Sequence, residues 1–240
     1  MKRTIFAVIL AALACAPAMA QQKTVHFTTL DSCRLEAFYL APSSGSYVFI
    51  NAHGLGSDKN EWAPLQNKLK SLGYGYLSLD LRGHGKSTTC GGKKVAYMFF
   101  SEEDWNAASR DIEAAAAWVK KKGVSPERII FCGASVGANL SLKAAAEGAI
   151  KPAAVVLLSP GLSYAGVKTA DNFRAPRAFR ILTVASRVDG YAWESSAALN
   201  RAAMAKGLPA YNLEGYGGHG VNMFKTPSLI PAILAWVEGK

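Results

Sequence analysis

One serine is spaced from two glycines in a way that suits nucleophilic chemistry. Gly133 and Gly137 flank Ser135 in the pattern Gly-Ala-Ser-Val-Gly, after the apolar run 129–132 and before a helical pattern. A strand, a sharp turn and a helix in that order predict a nucleophile elbow, in which the turn projects the serine hydroxyl above the sheet. The glycines keep side chains out of the space where strand and helix nearly touch. Because a lone Gly-x-Ser-x-Gly is not specific, the surrounding elements must decide whether Ser135 is a nucleophile.

The elements that would position this serine alternate along the chain. Segments 23–29 and 33–40 alternate apolar with polar residues and predict an antiparallel hairpin at a sheet edge. Further strands are predicted at 46–52, 74–81, 129–134, 153–158, 179–185 and 210–213, and helices at 59–72, 105–122, 136–147, 192–206 and 227–237. Strands that alternate with helices and carry nearly continuous apolar runs indicate a mainly parallel sheet with helices on both faces.

The first twenty residues have the composition of an export signal. Lys2 and Arg3 precede the apolar run 5–14, and the small residues Ala18 and Ala20 then mark a cleavage site. The apolar run is too short to span a bilayer. We therefore predict a secretory signal peptide that is cleaved after the second of these alanines, and a mature protein in the periplasm or outside the cell. A lipid anchor on Cys15 is the alternative.

Residues 21–240 fit one α/β domain better than two small ones, because no repeat or Pro-, Gly- or Ser-rich cluster marks a boundary. Loss of Lys2 and Arg3 with the signal peptide lowers the formal net charge from +10 to +8. The basic residues are scattered, and their densest run, 120–122, ends a predicted helix, where the helix dipole favours positive charge. Nucleic-acid binding is therefore not predicted.

Motifs for metals and cofactors are missing from the sequence. It contains no His-Glu-x-x-His, no Cys-x-x-Cys and no glycine-rich phosphate loop. The sequence therefore predicts chemistry carried by side chains and backbone alone, with no metal ion and no cofactor.

Motifs at the predicted strand ends make the chain resemble the α/β-hydrolase family over essentially the whole mature chain. They are His53-Gly54-Leu55-Gly56, the elbow from Gly133 to Gly137, Asp189, and Gly218-His219-Gly220. The order serine, acid, histidine is the one that this family uses. Leu158-Ser159-Pro160-Gly161 and Val184-Ala185-Ser186 further resemble small bacterial members of the dienelactone hydrolase and esterase type. The resemblance implies an α/β-hydrolase fold with a mainly parallel, eight-stranded sheet.

The resemblance also implies a role for each motif. Ser135 is the expected nucleophile, His219 the base that takes its proton, and Asp189 the carboxylate that orients the imidazole and stabilises its charged form. The backbone N–H groups of Val136 and Leu55 are expected to bind the oxyanion. The expected reaction is the hydrolysis of small-molecule carboxylic esters, short-chain or bulky-ended, through an acyl-enzyme.

Other side chains compete for two of these roles. Glu194 and Asp171 are rival acids, although neither directly follows a predicted strand, and Asp80 is expected to bond the backbone of its loop. The other histidines are His26 on an edge strand, His53 before the oxyanion loop, and His84 in a loop where the family pattern is structural. At the level of function, the alternatives are a serine peptidase or acyltransferase, and a non-catalytic binding protein that keeps the fold.

The resemblance also bears on access to the site. Larger relatives carry a helical lid where this chain has only the segment 159–178, which we expect to be irregular. A minimal lid implies an open cleft that suits short acyl groups or an ester at the end of a bulky molecule. Side chains that could line the cleft are Tyr97, Phe99, Phe100, Tyr164, Tyr191, Trp193 and Met223.

The family's usual strand order predicts one disulfide. It brings the turn of the first hairpin beside the loop that follows the fourth strand, and Cys33 and Cys90 occupy those two places. Export would let such a bond persist. Cys132, on the elbow strand, is then expected to be free and buried.

Overall fold

The computed structural model describes residues 21–169 and 179–240. The predicted signal peptide and the rival acid Asp171 lie outside the described residues. Within the two described ranges, every helix falls short of the length and apolar character that a membrane span needs.

Ten strands form the main sheet of the described residues. They are β1 (Lys23–Thr28), β2 (Cys33–Leu40), β3 (Val48–Ala52), β4 (Gly75–Leu79), β5 (Thr89–Cys90), β6 (Lys93–Lys94), β7 (Ile129–Ala134), β8 (Ala154–Leu158), β11 (Arg180–Ser186) and β12 (Ala210–Gly215), while β9 (Ser163–Tyr164) and β10 (Val167–Lys168) form a separate hairpin. The order is β12-β11-β8-β7-β3-β4-β2-β5-β6, with β1 beside β2. Strands from β12 to β4 are parallel, and β2 runs antiparallel to its neighbours. The eight longer strands are the predicted ones, and the fold class is confirmed.

Six α-helices are described, and they pack on both faces of this sheet. They are α1 (Ala63–Ser71), α2 (Glu102–Ala107), α3 (Ser109–Lys121), α4 (Val136–Glu147), α5 (Gly190–Ala205) and α6 (Leu229–Glu238). Side chains of β7 alternate between the two cores: Ile129 and Phe131 pack with α3 and α4, whereas Ile130 and Cys132 pack with α1 and α6. This period of two is what a strand buried on both faces requires.

Two predicted elements differ from the structure. The helix predicted at 59–72 begins as a turn of 3-10 helix at Lys59–Trp62 before α1, and the helix predicted at 105–122 is divided between α2 and α3. The expectation of an irregular segment after β8 is wrong over 163–168, where β9 and β10 pair. These two strands have only two residues each, too few for a visible alternation of side chains.

A disulfide joins the first residue of β2 to the last residue of β5. Cys33 and Cys90 are register partners, and their sulfur atoms are bonded. The pairing is the one that the family's strand order predicted. Cys132 is free and buried. Strands β5 and β6 were not predicted, because their pairing depends on β2, more than fifty residues earlier in the chain.

Candidate active site

Ser135 occupies the turn between β7 and α4 in a left-handed backbone conformation, with φ 55° and ψ −123°. A non-glycine residue in this region is strained by about 1–3 kcal/mol and persists only where its surroundings enforce it. A Cβ atom on Gly137 would lie 2.3 Å from the carbonyl oxygen of Ala52, and one on Gly133 would lie 2.2 Å from the carbonyl oxygen of Gly137. The two glycines therefore let α4 approach the sheet closely enough to hold the turn in this conformation.

The acid and base candidates meet beyond the ends of two neighbouring parallel strands. Asp189 follows β11 by three residues, and His219 follows β12 by four. The His219 Nδ1 atom lies 2.6 Å from the Asp189 Oδ2 atom. With Nδ1–H donating to the carboxylate, the tautomer leaves Nε2 as the proton acceptor. His219 is 44% exposed and Asp189 16%, so the imidazole is open to a ligand and the carboxylate is largely covered.

Ser159, to which the sequence assigned no role of its own, holds the loop that contains His219 beside the elbow. The Ser159 Oγ atom accepts a hydrogen bond of 2.9 Å from the N–H of Gly220, the residue after His219. Ser159 itself has a φ of 49°, and its N–H donates to Val184 O at 2.7 Å. A Cβ atom on Gly220 would lie 3.4 Å from the Cβ of Ala134, so this loop contacts the residue before Ser135. Among the described residues, Ser135 Oγ has no hydrogen-bond partner.

The loop after β3 leaves the backbone N–H of Leu55 free beside the elbow. The N–H of Gly54 donates to Glu61 Oε1 at 3.0 Å, that of Gly56 to His84 Nε2 at 3.3 Å, and that of Ser57 to Gly54 O at 3.2 Å. Within the described part of the chain, the N–H of Leu55 has no acceptor, and neither has that of Val136 in the first turn of α4. A Cβ atom on Gly54 would lie 3.5 Å from the Cβ of Ser135, which places the loop against the serine.

Glu61 is a site residue that the sequence analysis missed. Its carboxylate accepts hydrogen bonds from Gly54 N–H and from the Ser57 side chain, at the two ends of the loop that contains Leu55. Burial raises the pKa of Glu61, while these hydrogen bonds and the nearby His219 act to lower it. The one signal in the sequence was that this carboxylate directly precedes a large apolar residue, Trp62. The structure buries Trp62 fully.

A sequence model described as the alpha/beta hydrolase family matches residues 48–236, most of the chain. The chain belongs to the alpha/beta hydrolase family. Comparison with curated protein sequences gives no match.

Solved structures support the fold of this alpha/beta hydrolase. An esterase of Pyrococcus furiosus is 18% identical, with a TM-score of 0.72 over 91% of this chain and 89% of the esterase. An alpha-beta hydrolase of Vibrio vulnificus is 19% identical, with a TM-score of 0.70 over 89% and 80% of the two chains. A dienelactone hydrolase of Anabaena variabilis is 17% identical, with a TM-score of 0.64 over 92% and 97%. At these identities the similarity concerns the fold.

The other histidines of this alpha/beta hydrolase are engaged elsewhere. His53 is fully buried, with Nδ1 at 2.7 Å from Gly54 O and Nε2 accepting from the Leu81 N–H at 3.0 Å. Burial, with His84 as a second cause, lowers the pKa of His53 to about 4. His84 lies in van der Waals contact with Tyr97, with ring centroids 4.1 Å apart. His26 pairs with a glutamate on the edge strand β2.

Asp189, and neither of the two other candidate carboxylates that the structure describes, is the hydrogen-bond partner of the His219 imidazole. Asp80 is fully buried and accepts from the backbone N–H groups of Lys59 and Lys86 and from the Lys59 ammonium group, the structural role expected for it. Glu194 is exposed on α5. Across residues 21–169 and 179–240, no group of three or more His, Cys, Asp or Glu side chains is arranged to hold a metal ion.

The seven apolar side chains proposed to line the cleft have different surroundings. Tyr164 lies beside His219, with ring centroids 6.1 Å apart, and Tyr191 contacts Tyr164. Met223 is fully buried in the core beneath Gly215, so its assignment to the cleft is wrong. The sequence could not separate the two cases, because an apolar residue near a strand end serves the core and a cleft equally well.

Proposed function

We propose that this chain is an exported serine hydrolase that cleaves carboxylic esters through an acyl-enzyme. The observation that carries the proposal is that three parts lie on neighbouring loops: a serine in a left-handed elbow, a His–Asp pair, and two backbone N–H groups without acceptors. A Cβ atom on Gly220, next to His219, would lie 3.4 Å from the Cβ of Ala134, next to Ser135. A serine hydroxyl needs a base, a developing oxyanion needs donors, and an imidazolium needs a carboxylate. Each requirement corresponds to one part of this arrangement.

The proposed reaction has two steps. In the first, Ser135 Oγ attacks the ester carbon, and His219 Nε2 takes the hydroxyl proton. The N–H groups of Leu55 and Val136 bind the oxyanion, the bond from the acyl carbon to the alkoxy oxygen breaks, and His219 gives its proton to the departing alcohol. In the second, His219 takes a proton from water as the water oxygen attacks the acyl carbon. The bond from the acyl carbon to Ser135 Oγ then breaks, and His219 returns the proton to Oγ, which releases the carboxylic acid and restores the Ser135 hydroxyl. Asp189 keeps the imidazole in its reactive tautomer and stabilises its charged form throughout.

Export is part of the proposal. The Cys33–Cys90 disulfide supports an oxidising compartment, because glutathione and thioredoxin keep most cytosolic thiols reduced. Expression with the leader intact, followed by fractionation and mass analysis, should give a periplasmic or external protein that begins at Gln21. A cytosolic protein that keeps its leader would contradict this part of the proposal.

The short segment described after β8 favours an open cleft and substrates with a short acyl group or a bulky alcohol. Over residues 159–169 it holds only the β9–β10 hairpin, with no described helix. An open cleft gives little cover to a long acyl chain. Esters of short acids are therefore the first substrates to screen. A peptidase or acyltransferase would use the same serine, and only turnover assays on amides and on added alcohols separate these alternatives.

The deciding experiment is covalent labelling with a fluorophosphonate. We expect one adduct per chain by intact mass in the wild-type protein and none in Ser135→Ala. Ser32→Ala is a matched control, because Ser32 is an exposed serine that also has a positive φ, 65°, and lies in the β1–β2 turn. It should label like the wild type. Absence of an adduct on the folded wild-type protein would favour a binding protein that keeps the fold.

A further inference from the structure

Three rings form a row that begins at the His219–Asp189 pair. Tyr164, in β9, meets the His219 imidazole edge to face, with centroids 6.1 Å apart and planes at 86°. Tyr191, in the first turn of α5, meets Tyr164 in the same manner, with centroids 5.5 Å apart and planes at 72°. The row connects the imidazole to the surface between α5 and the β9–β10 hairpin.

Tyr191 is exposed and at the same time fixed. The residue is 48% exposed, yet its hydroxyl accepts a hydrogen bond from Ser163 N–H at 3.0 Å and donates one to Ser163 O at 2.9 Å. Gly161 lies under both tyrosines, since a Cβ there would lie 2.7 Å from Tyr164 and 2.8 Å from Tyr191. A ring already held in place loses little conformational entropy when it binds a ligand.

A cleft continues from Tyr191 along α5. It has a volume of about 440 Å³, within the range of small-molecule sites. Leu162 and Trp193 are among the side chains that line it, and Leu162 is 42% exposed. Glu194 and Arg201 line it as well, and their opposite charges balance. The cleft is thus suited to a neutral, largely apolar group.

We propose that Tyr164 and Tyr191 bind the alcohol half of the substrate and that this alcohol carries an aromatic ring, an inference that rests on the proposed function. His219 must protonate the departing alkoxy oxygen, so the alcohol half lies next to the imidazole. The carbonyl oxygen lies instead at the free N–H groups of Leu55 and Val136. A ring attached one carbon from the alkoxy oxygen therefore reaches the row of rings, and pairs of aromatic rings attract each other beyond the effect of their buried area.

The test compares two acetates that differ only in the character of the ring: benzyl acetate and cyclohexylmethyl acetate. We expect kcat/KM of the wild-type protein to be about two- to tenfold higher for the benzyl ester, the size that one favourable aromatic pair supplies. Tyr191→Leu should abolish this preference, mainly through the benzyl ester, whereas Tyr191→Phe keeps the ring and should retain it. Tyr211→Leu is a matched control, because Tyr211 is 57% exposed in the amino-terminal half of β12, away from the strand ends that carry the site.

Two outcomes would overturn the proposal: equal rates for both acetates in the wild-type protein, or the same loss for both esters in Tyr191→Leu. A second pair, methyl phenylacetate and methyl cyclohexylacetate, places the ring on the acid half. A preference confined to this pair would assign the tyrosines to the acyl group and reject our assignment. Fluorophosphonate labelling separates the two levels of failure. A protein that is labelled but lacks the benzyl preference contradicts this inference alone, and one that is not labelled contradicts the proposed function.

Discussion

The carboxylate of Glu61 is hydrogen-bonded to the backbone N–H of Gly54, with 3.0 Å between Oε1 and nitrogen. This contact fixes the residue immediately before Leu55, whose own N–H is left free. The position of the proposed oxyanion donor thus depends on a side chain six residues further along the chain. In the proposed mechanism Glu61 is therefore a positioning residue, because it touches the loop and not the substrate.

Substitution of Glu61 should impair turnover more than folding. In Glu61→Ala the Gly54 N–H loses its acceptor, and we expect kcat to fall about 10- to 100-fold, less than the roughly 10²- to 10³-fold loss when an oxyanion donor is removed altogether. Glu61→Gln keeps an acceptor oxygen and should recover most of the activity. Asn60→Ala changes an exposed neighbour in the same helical turn and serves as the control.

A sulfur substitution in the substrate separates this effect from general damage. Sulfur accepts weaker hydrogen bonds than oxygen, so a thionoester depends less on the oxyanion donors. Glu61→Ala should therefore slow an oxygen ester more than its thionoester. An equal loss for both would mean that Glu61 supports the fold only.

The elbow should not tolerate a methyl group at Gly137. Gly137→Ala would bring its Cβ within 2.3 Å of the Ala52 carbonyl oxygen, a backbone atom that cannot easily move. We expect a loss of about 1–3 kcal/mol in the free energy of unfolding, the usual range for overpacking, and a loss of labelling at Ser135. Gly190→Ala is the matched control at the start of α5, since a Cβ there meets nothing within 4 Å. Urea unfolding should show it to be neutral or slightly stabilising, and equal effects of the two substitutions would contradict the packing argument.

Acid should destabilise the protein partly through His53. Its pKa falls from the ordinary 6.5 to about 4 in the folded protein because the imidazole is buried. Below pH 6.5 the unfolded chain therefore binds a proton that the folded protein excludes, and stability is lost as the pH falls from about 6.5 through about 4. The difference corresponds to about 3 kcal/mol.

The contribution of His53 is measured as the difference between the wild-type protein and His53→Gln. Glu61, Asp111 and Glu113 have pKa values that burial raises, so their protonation acts in the opposite direction over part of this range. Urea unfolding of both proteins at pH 7 and at pH 4.5 cancels these shared contributions. The variant should lose less stability on acidification, and parallel losses would show that His53 is not the group responsible.

Reduction of the disulfide should lower the stability of the protein. Cys33 and Cys90 are 57 residues apart, and cross-linking a loop of this length restricts the unfolded chain by about 4 kcal/mol in the chain-entropy model, with typical measured values of about 2–4 kcal/mol. The urea midpoint of the wild-type protein should fall when reductant is added. In a Cys33→Ser, Cys90→Ser double variant the midpoint should already be low and should not respond. A wild-type midpoint that is insensitive to complete reduction would contradict this prediction.

The sequence determined the eight long strands, the order of the helices, and the position of Ser135 in a turn between strand and helix. These features follow from local hydrophobic periodicity and from Gly133 and Gly137, which lie two residues from Ser135 and leave room for the close approach of helix and strand. The resemblance to the family also predicted Asp189, His219, Leu55 and Val136 for the site. The tertiary structure decided which other groups surround that serine. Contacts that form only when the chain folds bring three further side chains to the site: Glu61, Ser159 and Tyr164. Met223, which the sequence offered as a cleft residue together with Tyr164, packs into the core instead. The family motif predicted Leu55 as a donor, but only the three-dimensional geometry shows that its N–H is free while those of Gly54, Gly56 and Ser57 have acceptors.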